Sequence, residues 1–231
     1  MVSPRHAVRL LLPLLVAAVA ASSSAPAAPA RSRTCADGYT YAGRLSATRA
    51  HGVQATLTAL SKPEVADGHV AAWVGVGGVG EGPNGSDAWL QVGLSALPDS
   101  ESSLYYEVTR PGAAPTYVEL KTGIRTGDRF RVAVLELAKR PHHWRVWLNG
   151  KPVSAPVELR GSSGRWRPIA TAESWAGAGA ACNRFNYRFE GVRIAAANGG
   201  SWRSFVGGHT FLDSGYRLVD RGASTFVATS G

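Results

Sequence analysis

Arg129-Phe130-Arg131-Val132-Ala133-Val134, followed after a short gap by His143-Trp144-Arg145-Val146-Trp147-Leu148-Asn149-Gly150, decides the fold. In the first run Phe130, Val132 and Val134 alternate with Arg129, Arg131 and Ala133, which is the period of a half-buried strand. In the second, Trp144, Val146 and Leu148 alternate with His143, Arg145 and Trp147. Asn149-Gly150 then supplies a two-residue turn before Val153 and Val157, a hairpin signal. Pro152 and Pro156 put the return strand at a sheet edge or a bulge.

The same period extends outward from this hairpin. Tyr187 and Phe189 share a face, and Val192 and Ile194 rejoin it after a shift of one at Gly191, which reads as a β-bulge. Further strands are expected at 38–45, 52–60, 68–76, 87–94, 102–109, 115–121, 166–175, 209–213, 215–220 and 224–229. No segment beyond the first thirty residues carries a helical period. So many short strands predict an all-β chain, an antiparallel double-sheet sandwich of the concanavalin A-like jelly-roll kind. The glycine-rich stretch Gly75–Gly85 lies between two of the strands, as a loop at a cleft rim or a wide hairpin connection.

The chain has 231 residues, enough for one domain with a buried core. Its first thirty pair a basic start (Arg5, Arg9) with an apolar run, Leu10 to Ala21, and Ala-x-Ala sites. That is the pattern of a secretory signal peptide, too short in its apolar part to span a bilayer. The expected organisation is a signal peptide at 1–30, a linker at 31–38 and one sandwich domain at 39–231, exported and free of the membrane. The formal net charge is +9, nearly all of it from singly scattered arginines. With no helix-turn-helix or aromatic-basic signature, nucleic acid is not an expected partner. Cys35 and Cys182 are the two cysteines, and in an exported chain they are expected to pair.

Several chemistries are unsupported. Gly-x-Ser-x-Gly is absent, and the glycine-rich stretch lacks the Lys-Ser/Thr of a phosphate loop. His142 and His143, adjacent on one strand, point to opposite faces and do not chelate one ion. Asn84-Gly85-Ser86 is formally a glycosylation sequon. Two polar residues stand out instead. Gln91 in Trp89-Leu90-Gln91-Val92-Gly93 and Glu173 in Ala172-Glu173-Ser174-Trp175 are each embedded in a strand-like apolar context. Aimed into one face, the carboxylate can take a proton from a water while the amide N–H stabilises a developing oxyanion.

Ala72-Trp73-Val74-Gly75-Val76-Gly77-Gly78 with Trp89-Leu90-Gln91-Val92-Gly93 resembles the "AWVGIDG … ILQTG" block of the eqolisins, the glutamic peptidases. Tyr105-Tyr106-Glu107 resembles their "WYEWYP" segment, Gly127–Val132 their "GDxIxV" strand, and Ala172-Glu173 their "AEW". Phe189-Glu190-Gly191-Val192 resembles the late "DFGxVxF" strand, and Tyr41-Ala42-Gly43 stands where the family has "NWAG". The similarity runs from about residue 39 to 229 in the same order.

The resemblance implies an endopeptidase working at acid pH on polypeptide, with no metal or organic cofactor, and expected to be a monomer. Glu173 would activate the water and Gln91 would stabilise the tetrahedral intermediate. Trp73, Tyr106 and Glu107 would contact substrate. The chain departs from the pattern at Gly77, where the family has Asp, and at Val108-Thr109-Arg110, where it has aromatics. Glu107 and Glu136 are alternative acids, with Glu136 expected to face solvent beside Leu135 and Leu137. A second reading is a binding module without catalysis. His143–Val146 with Asn149-Gly150-Lys151 resembles the "WHHVAVxxDG" pair of laminin-G-like domains, and exposed Trp147, Trp166 and Trp202 would stack on glycan. Trp73, Trp89 and Trp144 read from their alternation as packing anchors.

Overall fold

A computed structural model describes residues 38–176, 182–205 and 208–230. The chain runs β1 (Tyr39–Leu45), β2 (Gly52–Ala59), β3 (His69–Gly78), β4 (Ala88–Ala96), β5 (Ser102–Thr109), β6 (Thr116–Ile124), β7 (Arg129–Leu137) and β8 (Arg140–Leu148). It continues through β9 (Lys151–Pro152), β10 (Val157–Glu158), β11 (Ile169–Trp175), β12 (Asn186–Ala197), β13 (Gly200–Ser204), β14 (His209–Leu212), β15 (Tyr216–Gly222) and β16 (Thr225–Ser230). The only helical turn among the described residues is a 3-10 turn at Pro83–Gly85. Cys35 lies outside the described residues, and so therefore does its expected pairing with Cys182.

Two antiparallel sheets result. One is ordered β14-β1-β11-β3-β4-β5-β6, the other β10-β8-β7-β2-β12-β16-β15, with β9 beside β8 and β13 beside β12. The facing sides interdigitate as the period-two pattern requires. Val70, Ala72 and Val74 of β3 and Leu90, Val92 and Leu94 of β4 meet Val53, Leu57, Val132 and Val134 of the other sheet in one buried cluster. Phe189 and Phe226 stack at 4.6 Å and Trp144 and Trp166 at 6.0 Å, inside that core. Each such ring contributes roughly 1.5–3 kcal/mol on burial.

Gly191 does carry the bulge. The β2–β12 register shifts between Glu190 and Arg193, and Tyr187, Phe189, Val192 and Ile194 are all buried. Past the bulge β12 exchanges its neighbour β16 for β13. Asn149 and Gly150 both adopt positive φ in the β8–β9 turn, the conformation a two-residue type I′ hairpin needs.

Two expectations are corrected. Glu136 is fully buried: it continues the inward phase of Phe130, Val132 and Val134, and His51 and the His142 amide close over it at 2.6 Å each. Trp166 is 1% exposed, packed on Trp144 with its indole donating to the Glu81 carbonyl, so it offers no surface for stacking a sugar.

Candidate active site

The side of the seven-stranded sheet turned away from the core holds a cleft of about 630 Å³. Alternation selects its lining. With Val70, Ala72 and Val74 facing inward, His69, Ala71 and Trp73 of β3 must face out; Gln91 of β4, Tyr105 and Glu107 of β5 and Glu173 of β11 do the same. The register sets their order across the sheet. Glu173 pairs with Ala71 and Tyr41, Thr171 with Trp73, and Gln91 with both Gly75 and Glu107.

Two glycines make room for this arrangement. A Cβ on Gly93 would stand 2.0 Å from the Ala72 carbonyl and 2.7 Å from the Trp73 Cβ, and one on Gly75 would stand 2.9 Å from the Gln91 Cβ. Both are closer than side chains approach, so Trp73 and Gln91 lie where they do because their neighbours across the ladder have no side chains.

Glu173 is 6% exposed, and both its oxygens are engaged. Trp73 Nε1 donates to Oε2 at 2.9 Å, and His69 Nε2 lies 3.3 Å from Oε1. His69 is itself stacked on Trp175 at 5.9 Å. A carboxylate has about four lone-pair directions, so these two partners fix its plane and leave capacity for a water. Gln91 is 8% exposed, and its Nε2 donates to the Tyr105 hydroxyl at 3.2 Å. One amide N–H is thereby tied and the second left for a ligand. Tyr105 stacks on Tyr117 at 4.9 Å, and the Tyr117 hydroxyl meets Ser95 Oγ at 2.9 Å.

Glu107 forms a second acid–indole pair, accepting from Trp89 Nε1 at 2.8 Å. Burial, supplemented by the charge of Glu173, raises its pKa above the usual carboxyl range, while the Trp89 bond and His69 pull the other way. Burial also raises the phenols of Tyr39, Tyr41 and Tyr105, so all three stay neutral well past physiological pH.

The structure brings Gln91, Glu173, Trp73 and Glu107 to one cleft. Tyr106 is not among them: it packs against the core, and Tyr105 takes the cleft position instead. Counting back two from Glu107 would have selected Tyr105, and counting back four from Trp73 would have reached His69. Trp73 and Trp89 are cleft residues that hold carboxylates, whereas Trp144 is the packing anchor expected. The glycine-rich stretch is both things foreseen for it, the β3–β4 connection and, through Gly77, Gly78 and Val79, part of the cleft rim. Among the described residues no group of three or more His, Cys, Asp or Glu is placed to hold a metal ion.

No protein-family model and no curated protein matches the sequence. Solved structures do. Scytalido-glutamic peptidase, bound to a transition-state analogue inhibitor, matches over 84% of this chain and 100% of its own at TM-score 0.62 and 16% identity. Its complex with a peptide-based transition-state analogue matches over the same shares at 0.60 and 17%. The fold is the eqolisin fold. SCP-B, a member of the eqolisin family in complex with the tripeptide Ala-Ile-His, agrees at TM-score 0.55 and 16% identity, again over 84% and 100% of the two chains. At such identities the likeness to eqolisins is one of fold, and the roles of single residues rest on the geometry of this cleft.

Proposed function

We propose that this chain is an exported glutamic endopeptidase of the eqolisin kind, hydrolysing peptide bonds at acid pH. One observation carries the reading. Glu173 and Gln91, from separate strands, face the same cleft, with the carboxylate held by Trp73 and the amide by Tyr105. Glu173 takes a proton from water as the water oxygen attacks the scissile carbonyl. The free Nε2–H of Gln91 meets the charge that develops on the carbonyl oxygen. An extended polypeptide lies along the cleft, with Trp73 against it. Export follows from the leading basic and apolar residues, and the mature chain acts as a monomer with its Cys35–Cys182 pair formed.

The test is casein cleavage by the purified protein across roughly pH 2 to 7, with Glu173→Gln alongside. Cleavage at acid pH that disappears in the variant supports the reading. Cleavage that persists removes Glu173 from the base role, and a folded but inert wild type removes the peptidase.

A further inference from the structure

We propose that Glu107 is the general acid of this site, giving its carboxyl proton to the leaving amine nitrogen while Glu173 takes one from the attacking water. The assignment rests on the peptidase reading above and deepens it, since a peptide nitrogen cannot depart as an anion and needs a proton as the bond breaks.

The geometry is that of a paired site. Strands β11, β3, β4 and β5 lie side by side in that order. The outer two carry Glu173 and Glu107, and β4 between them carries Gln91, which shares its rung with Glu107. Each carboxyl is clamped by an indole N–H from a neighbouring strand, Glu173 by Trp73 and Glu107 by Trp89. The clamps differ in what they leave free. Glu173 has both oxygens engaged, by Trp73 and His69. Among the described residues Glu107 is hydrogen-bonded only through Oε1, so Oε2 is the atom able to carry a proton into the cleft.

Its surroundings favour the protonated form. Burial is the largest influence on Glu107, and the Glu173 charge adds to it. The other titratable groups facing it are His69 of β3, Tyr39 and Tyr41 of β1, Tyr105 of its own strand and Tyr117 of β6. The four tyrosines are neutral phenols through the acid range, which leaves Glu173 and His69 as the charges that act on it. A carboxyl held towards its protonated form on the far side of Gln91 from the base is what a proton donor to the leaving group requires.

The atoms balance. Water loses a proton to the Glu173 carboxylate as its oxygen bonds to the carbonyl carbon, and Gln91 Nε2 donates to the oxyanion. The tetrahedral intermediate collapses, the C–N electron pair goes to nitrogen, and nitrogen takes the proton from Glu107 Oε2. Glu107 is left ionised and Glu173 protonated. Glu173 then releases its proton and Glu107 recovers one from solvent.

The decisive comparison uses two substrates with the same acyl part, a peptide amide and a nitrophenyl ester whose leaving group departs without protonation. Glu107→Gln keeps an acceptor for Trp89 and removes the proton. We expect kcat on the amide to fall about 100-fold while the ester stays within about threefold of wild type. Glu107→Asp, which keeps a proton donor, recovers part of the amide rate. Wild-type kcat on the amide falls on the alkaline side as Glu107 ionises, and that limb is missing from the ester profile. Equal losses on both substrates in a variant that melts like wild type would make Glu107 structural and overturn the proposal while leaving the peptidase intact. An undiminished amide rate overturns it too. A wild type inert on both substrates overturns the peptidase reading and this assignment with it.

Discussion

Trp73 Nε1 donates to Glu173 Oε2 at 2.9 Å across the β3–β11 ladder, so a residue whose alternation reads as packing instead orients the carboxylate. Trp73→Phe keeps the ring's bulk and removes the donor. The expected result is about a tenfold fall in kcat with an unchanged melting temperature, read from steady-state kinetics and circular dichroism. An unaffected kcat would show that His69 alone orients Glu173.

Tyr105 holds Gln91 from the other side, through a hydroxyl in a side chain that is 2% exposed. In Tyr105→Phe the amide loses that acceptor and its orientation loosens. The expected effect falls on kcat, about tenfold, with KM unchanged, because in the proposed reaction Gln91 meets the oxyanion only in the transition state. A rise in KM at constant kcat would instead mark Tyr105 as a plain substrate contact.

Glu107 also predicts how stability depends on pH. Its folded-state pKa lies above the unfolded value, so below about pH 4 both states hold the proton and its ionisation costs the fold nothing. As pH rises through the raised folded value, the unfolded chain releases the proton more readily, and stability is lost. Urea midpoints of wild type and Glu107→Gln from pH 3.5 to 7 test the sign. The variant is expected to lose less over that window, and a variant that loses more contradicts the shift.

Glu136 is the one acid with no exposed surface among the described residues, tied to His51 and to the His142 amide. Removing it leaves both groups without their buried partner. Glu136→Ala is expected to cost about 3–5 kcal/mol in denaturant unfolding. A cost under about 1 kcal/mol would mean that water replaces the carboxylate freely.

Gly93→Ala tests the space under the cleft. The added methyl meets the Ala72 carbonyl and Trp73 Cβ at distances no side chain tolerates, so β3 and β4 must separate. We expect a loss of about 1–3 kcal/mol and a fall in activity larger than that loss of folded protein explains.

The architecture was legible because its signals are local. The phase slip at Gly191 and the Asn149-Gly150 turn each involve a few consecutive residues, and the strands were placed within a few positions. The short strand β13 was missed: Gly200–Ser204 has one large apolar residue, Trp202, and no alternation to read. In the site, the resemblance identified the Gln91, Glu173, Trp73 and Glu107 positions but not the direction of each side chain. Tyr105 and Tyr106 are neighbours in one motif, and only the strand's parity separates cleft from core. The burial of Trp166 and Glu136 depends on Glu81 and His51, each 85 residues from its partner, and no local pattern contains them.

Gly77 adopts φ +82°, and a Cβ there would stand 2.2 Å from the Ala88 carbonyl. The backbone at this point of the cleft rim has therefore been shaped around a hydrogen atom. An Asp at this position, which the eqolisin motif carries, could not be introduced by a change of side chain alone; the β3–β4 hairpin would first have to unbend. Because the strand turns here through a left-handed residue, a change of side chain and a change of backbone must happen together before any larger residue can stand at this point of the rim.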